Sequence, residues 1–215
     1  MLKENIYKIL EITSSSSIII PLSCLVLRSK YFKNENLIIG ALIVITLLTE
    51  IFNLLYVYLN RNNFFIFRVF TYIEIALITL YYFQFFKSYF KAHLILFVLP
   101  AFIVVSAIDY RLNGSESFDN YATSFEAILF SSISLWSFYY MMKHMIFENP
   151  TKEPFFWINS GILLYFGGNL VLFVFNNYLL QNKTAGHLAM WAIHSCLNIL
   201  YNCIIAIGIW KTRRP

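Results

Sequence analysis

Seven apolar segments, most of them about long enough to cross a bilayer, follow one another with linkers of thirteen residues or fewer between them. They occupy residues 6–27, 37–59, 64–86, 92–107, 121–145, 155–180 and 187–210. A helix rises about 1.5 Å per residue, and roughly 20 apolar residues match the hydrocarbon core. In lipid every backbone N–H and C=O must be paired within the segment, which leaves helices or closed barrels. Segments this long predict helices, so the chain is expected to be all-α: a single transmembrane helical domain over residues 1–215, folded as a seven-helix bundle.

Composition agrees. Of the 215 residues 59% are hydrophobic and 13% charged, about half the charged fraction of a soluble domain. The 22 Phe and 15 Tyr suit lipid-facing surface and interfacial belts. Glu11 and the polar run 13–17 make the first segment the weakest, with an interfacial helix as its alternative. Pro100 predicts a kink in the fourth. Cys24, Cys196 and Cys203 all lie in apolar segments, as small buried side chains rather than a disulfide framework.

Linker charge sets the expected orientation. Arg28, Lys30, Lys33, Lys87, Lys91, Lys143, Lys152, Lys211, Arg213 and Arg214 fall on one side; Lys3, Lys8, Arg61, Arg111 and Lys183 fall on the other. The richer side is the cytoplasmic one, so the N-terminus is expected outside and the C-terminus in the cytoplasm. Basic residues confined to short linkers are no nucleic-acid footprint, so the expected partners are membrane lipids, another membrane protein, or further copies of this chain. The linkers leave no room for a soluble domain, and any signal must leave through helices, lipid or a second protein.

Polar residues inside the segments carry whatever chemistry there is. His187, Trp191, His194, Asn198 and either Tyr201 or Asn202 recur at steps of four and three, one face of the last helix. Imidazole and carboxamide groups are costly in hydrocarbon unless they face a partner or a cavity, so this face should look inward. Glu50, Asn53, Arg68, Glu74, Glu126 and Asn169 fall in the middle to outer half of their segments. Arg68 is expected to pair with Glu74, Glu50 or Glu126. With Trp191, His194 and Asn198, these residues form the expected ligand-binding set, in a polar core open to the outside. A purely structural hydrogen-bond network is its alternative. Gly161, Gly167 and Gly168 should let a neighbouring helix approach closely.

Several enzyme classes fail by subtraction. Asp109 and Asp119, the only aspartates, fall in the outer linker, so an intramembrane aspartyl protease and a zinc hydrolase of the ceramidase type lack their residues. His187 and His194 are about 10 Å apart along a helix, too far to share one zinc ion. The last segment has no lysine for a retinal Schiff base, and no serine-hydrolase elbow is found. No catalytic residue, metal or cofactor is assigned.

Five stretches resemble a family of small seven-span membrane proteins from Bacteroidota that often accompany sensor histidine kinases. They are LLTEIFNLLYVYL, FRVFTYIEIALITLYYFQFF, SFDNYATSFEAILF, EPFFWINSGILLYFGGNLVLF and WAIHSCLNILYNCIIAIGIW, and the resemblance extends over about two thirds of the chain. The matching positions are Glu50, Glu74, Glu126, Trp157, Asn159, Ser160, Gly161, Asn169, His194 and Asn198; Gly167-Gly168 stands where the family often has Ser-Gly. The resemblance implies a membrane sensor in a bacterial cytoplasmic membrane whose kinase is a separate chain. The expected function is therefore a sensory module binding a small ligand, lipid or proton and signalling through a partner. The rivals are an oligomeric membrane effector or pore, and a lipid-modifying enzyme.

Overall fold

The computed structural model describes residues 2–29, 35–59, 61–87, 89, 92–114, 117–182 and 185–212. Among them there is no strand. The helices are α1 (Leu2–Ser16), α2 (Ile19–Arg28), α3 (Glu35–Tyr58), α4 (Phe64–Phe86), α5 (Val98–Asn113), α6 (Asn120–Lys143), α7 (Pro154–Asn182) and α8 (Ala185–Trp210), with 3-10 turns at Ala92–Phe97 and Pro150–Lys152. Among the described residues six helical stretches are long and apolar enough to cross a membrane: Ile6–Arg28, Asn36–Tyr58, Phe64–Phe86, Ala92–Asn113, Pro154–Leu179 and Leu188–Trp210. The pattern is that of a multi-pass membrane protein. The stretch expected as a fifth crossing, now α6, has the length but is not apolar enough on average to be one of the six.

The surface is inverted relative to a water-soluble protein. Val44, Leu48 and Phe52 of α3, Ile103 and Val104 of α5, and Val171 and Phe175 of α7 are exposed, whereas Thr79, Ser106, Asn159, Asn169 and Asn202 are buried. Apolar groups outside and polar groups inside suit hydrocarbon as the surrounding solvent.

Two prolines set helix boundaries. Pro21 cannot donate a hydrogen bond to the Ser17 carbonyl four residues earlier, which instead accepts from the Ile20 amide at 3.0 Å. The helix breaks at residues 17–18, dividing the first crossing into α1 and α2. Pro100 occupies the third position of α5. The first four amides of a helix have no intrahelical acceptor, so a missing N–H costs little there. The expected mid-helix kink is thus a helix start, preceded by a 3-10 turn.

The described helices group into two compact units, residues 1–31 with 126–215 and residues 32–125. In the first, α8 packs along α7 and also receives α1 and α2. The α7–α8 pair is antiparallel, with Gly208 against Pro154 and Ile158, Gly161 against Ile205, and Gly168 against Leu197. Gly167, by contrast, looks toward Ser131 of α6, 3.5 Å from where its Cβ would lie. The expected glycine packing is therefore divided between two neighbours. Phe130 of α6 meets Phe166 with ring centroids 5.1 Å apart, and the Asn159 amide donates to the Ser134 carbonyl at 3.1 Å. In the second unit, α3 packs on α4, and α4 on α5 and its leading 3-10 turn.

Candidate functional site

The residues of the expected ligand set separate into two groups. In the 32–125 unit, Asn63 immediately precedes α4 and donates from Nδ2 to Asn53 Oδ1 at 2.5 Å, which clips the α3–α4 turn. Asn53 is thus engaged in packing. From this contact the antiparallel register places Glu74 opposite residue 42, about 12 Å along the axis from Glu50. Both carboxylates are half-buried.

Arg68 does not pair with a glutamate. Its guanidinium forms a two-pronged contact with Asp119, Nε to Oδ2 at 2.6 Å and Nη2 to Oδ1 at 2.5 Å, and Nη2 also donates to the Gly114 carbonyl at 3.2 Å. The Tyr110 ring lies 5.1 Å from its Cζ. Arg68 is in the second turn of α4, at the end of that helix nearest the α5–α6 connection, and this decides the partner. Gly114, with φ +78°, closes α5 in a conformation that glycine adopts most readily. Asp109 is fully buried within the last turns of α5 rather than lying in a solvated linker. Its oxygens accept from Asn113 Nδ2 at 2.5 Å and from the Ala122 amide at 2.8 Å, the latter in the first turn of α6. Two aspartates assigned to an exported loop thus hold helix ends together. Helix continuation to Asn113 could not be read from a linker containing Gly114, Ser115 and Glu116.

The second group lies in the other unit. Asn169 is 1% exposed. Its Nδ2 donates to the Tyr165 carbonyl at 2.9 Å, and its Oδ1 meets His194 Nδ1 at 3.1 Å. Around the imidazole stand the rings of Trp191, Tyr165 and Phe173, with centroids at 5.2, 5.9 and 6.4 Å. Tyr201 extends this wall, 5.0 Å from Tyr165. His194, Trp191, Tyr165 and Tyr201 are each partly exposed. Tyr165 and Phe173 were not among the expected site residues; their spacing of four and eight from Asn169 and Tyr165 is the signal that would have found them.

Farther along α8 the polar stripe turns to a different neighbour. Asn198 Nδ2 donates to Ser14 Oγ at 3.0 Å and lies 3.4 Å from its carbonyl. Asn202, rather than Tyr201, continues the stripe and donates to Ser17 Oγ at 2.7 Å. Ser17 Oγ in turn donates to the Ser14 carbonyl at 2.6 Å. Each step of four advances about 40° around the helix. His194 therefore faces α7 while Asn198 and Asn202 hold the break between α1 and α2. The His187 side chain lies outside the described residues. Glu126 is 2% exposed on α6, on the buried face that includes Phe130 and Ser134.

Among the described residues no three His, Cys, Asp or Glu side chains gather as metal ligands. Comparison with protein-family models, with characterised proteins and with solved structures gives no match.

Proposed function

We propose that the chain is a sensory module of a bacterial cytoplasmic membrane, taking a small ligand, a lipid or a proton at the His194–Asn169 site and signalling through a separate protein such as a kinase. One arrangement on α8 carries this. The helix that presents His194 to α7 also holds the α1–α2 break through Asn198 and Asn202. A change at His194 that shifts or rotates α8 would strain those two hydrogen bonds and move the first helix, a displacement a partner can read. The likeness to small seven-span proteins that accompany sensor kinases favours the same function.

Seven crossings, with the N-terminus outside, belong to this proposal. Averaged apolarity counts polar residues wherever they point, and on α6 several point inward: Thr123, Glu126, Ser134 and Ser137 are buried while Ile128, Leu135, Tyr139 and Met142 are exposed. Such a helix can cross lipid despite a modest average. The excess of Lys and Arg in alternate linkers supports the orientation. Reporter fusions after Gly114 and Asn149 should then report opposite sides of the membrane; the same side for both would exclude α6 as a crossing.

The signalling role is tested by crosslinking in native membranes, purification in mild detergent, and measurement of kinase activity in the recovered complex. A kinase-like partner whose phosphorylation changes with His194→Ala supports the proposal. A chain always recovered alone, or a partner indifferent to His194, refutes it.

A further inference from the structure

We propose that the wall of His194, Trp191, Tyr165 and Phe173 binds the ring of a membrane-soluble hydroquinone, with His194 Nε2 accepting a hydrogen bond from its hydroxyl group; this rests on the sensory proposal for the site alone. Asn169 donates through Nδ2 to a backbone carbonyl, so the atom it turns toward His194 is its acceptor Oδ1. A neutral imidazole answers an acceptor only with a protonated Nδ1. Nε2 is then left with its lone pair, and among the described residues the bond to Asn169 is the one hydrogen bond of His194. The site therefore asks for a donor.

The surroundings restrict which donor. His194 lies six residues into the crossing Leu188–Trp210, about 9 Å from its end. The neighbouring Ile193 and Leu200 are half exposed, as lipid-facing residues are. Lipid phosphates are acceptors, the wrong polarity for Nε2, and charged ammonium groups are costly at this depth. What remains is a neutral, lipid-soluble molecule carrying a hydroxyl group. The wall is aromatic rather than aliphatic, with Trp191 at 75° and Phe173 at 62° to the imidazole plane. These rings already meet the imidazole edge-to-face, and aromatic rings favour such contacts with further rings. A hydroquinone satisfies both requirements, whereas its quinone offers carbonyl lone pairs to a lone pair. Binding alone is proposed, with no electron transfer.

The test is calorimetric titration of the full chain in nanodiscs with a short-chain hydroquinone under anaerobic reducing conditions, and with the matching quinone. Saturable binding of the reduced form is expected, with the oxidised form weaker by about tenfold for the lost hydrogen bond. His194→Ala should remove the preference, and His194→Gln, whose carboxamide oxygen also accepts, should keep most of it. Trp191→Leu should weaken both forms alike. Circular dichroism and size-exclusion profiles confirm that each variant is folded. Equal binding of the two forms, binding untouched by His194→Ala, or no saturable binding would overturn the proposal. If hydroquinone fails to bind yet His194→Ala still alters the partner kinase, the occupant is wrong and the sensor stands; binding without any partner gives the reverse.

Discussion

Replacing Arg68 by Met and Asp119 by Leu, singly and together, probes the buried ion pair that closes the α4–α5–α6 end of the 32–125 unit. The two side chains are 12% and 9% exposed and meet through two short contacts. Removing one partner of a buried pair typically costs about 3–5 kcal/mol, because the other charge is left without compensation. The residual exposure of both groups allows some relief by water, so each single variant should lose about 2–4 kcal/mol. Among the described residues, Asp119→Leu leaves the guanidinium the Gly114 carbonyl, the Tyr110 ring and the charge of the Asp109 carboxylate, which already serves Asn113 and Ala122. The double variant puts two apolar side chains in the same space and should return to within about 1 kcal/mol of wild type. The coupling between the sites should accordingly exceed about 2 kcal/mol. Unfolding in mixed micelles by increasing SDS, followed by far-ultraviolet circular dichroism, measures all four proteins. Additive losses, or single variants within about 0.5 kcal/mol of wild type, would show that Arg68 and Asp119 do not depend on each other.

The α7–α8 contact makes a second prediction: a Cβ at Gly208 would lie 2.8 Å from Ile158 Cγ1 and 3.3 Å from the Pro154 carbonyl, so Gly208→Ala should destabilise by about 1–2 kcal/mol despite alanine's better helix propensity. At Gly168 the obstacle is the movable tip of Leu197, 2.7 Å away, so Gly168→Ala should cost less than Gly208→Ala in the same micelle assay; the reverse order would contradict this packing. Asn198→Ala and Asn202→Ala should each lose about 0.6–1.7 kcal/mol, the range for hydrogen bonds between helices in membranes. In hydrogen exchange, peptides covering residues 9–20 should exchange faster in the Asn198→Ala, Asn202→Ala double variant, while unchanged rates would mean that these amides do not hold the helix break. Asn169→Leu should free the His194 ring, seen as a change in its imidazole nitrogen shifts in NMR; an unaltered spectrum would rule out the Asn169 contact.

Most of the fold is legible in the sequence because hydrocarbon imposes a simple rule of length and apolarity. The third expected segment coincides with α4, five of the others differ from the observed crossings mainly at their ends, and the fifth, α6, is a helix that is not among the six apolar crossings. The first shows why end and break positions escape such a rule: Pro21 alone marks the interruption, while Ser14 and Ser17, which lower the apparent hydropathy, are the acceptors that α8 grips. The candidate site was legible in part. Periodicity picked out Trp191, His194 and Asn198 as one face, and depth in its segment put Asn169 in the same expected set.

Partner choice was not legible, because a side chain bonds to whatever lies at its own depth and angle, and linear spacing fixes only the angle on one helix. Arg68 reaches Asp119, fifty-one residues away, because both lie at one end of their helices. By itself the sequence determined that the chain is helical, apolar enough for lipid, and polar along one face of its last helix, since these depend on local composition and the 3.6-residue period. Only the tertiary structure decided that this face divides, His194 turning to Asn169 and a ring wall while Asn198 and Asn202 turn to the α1–α2 break. A rotation of about 40° at each four-residue step carries the stripe from one neighbour to the next, and which neighbour stands there is set by packing.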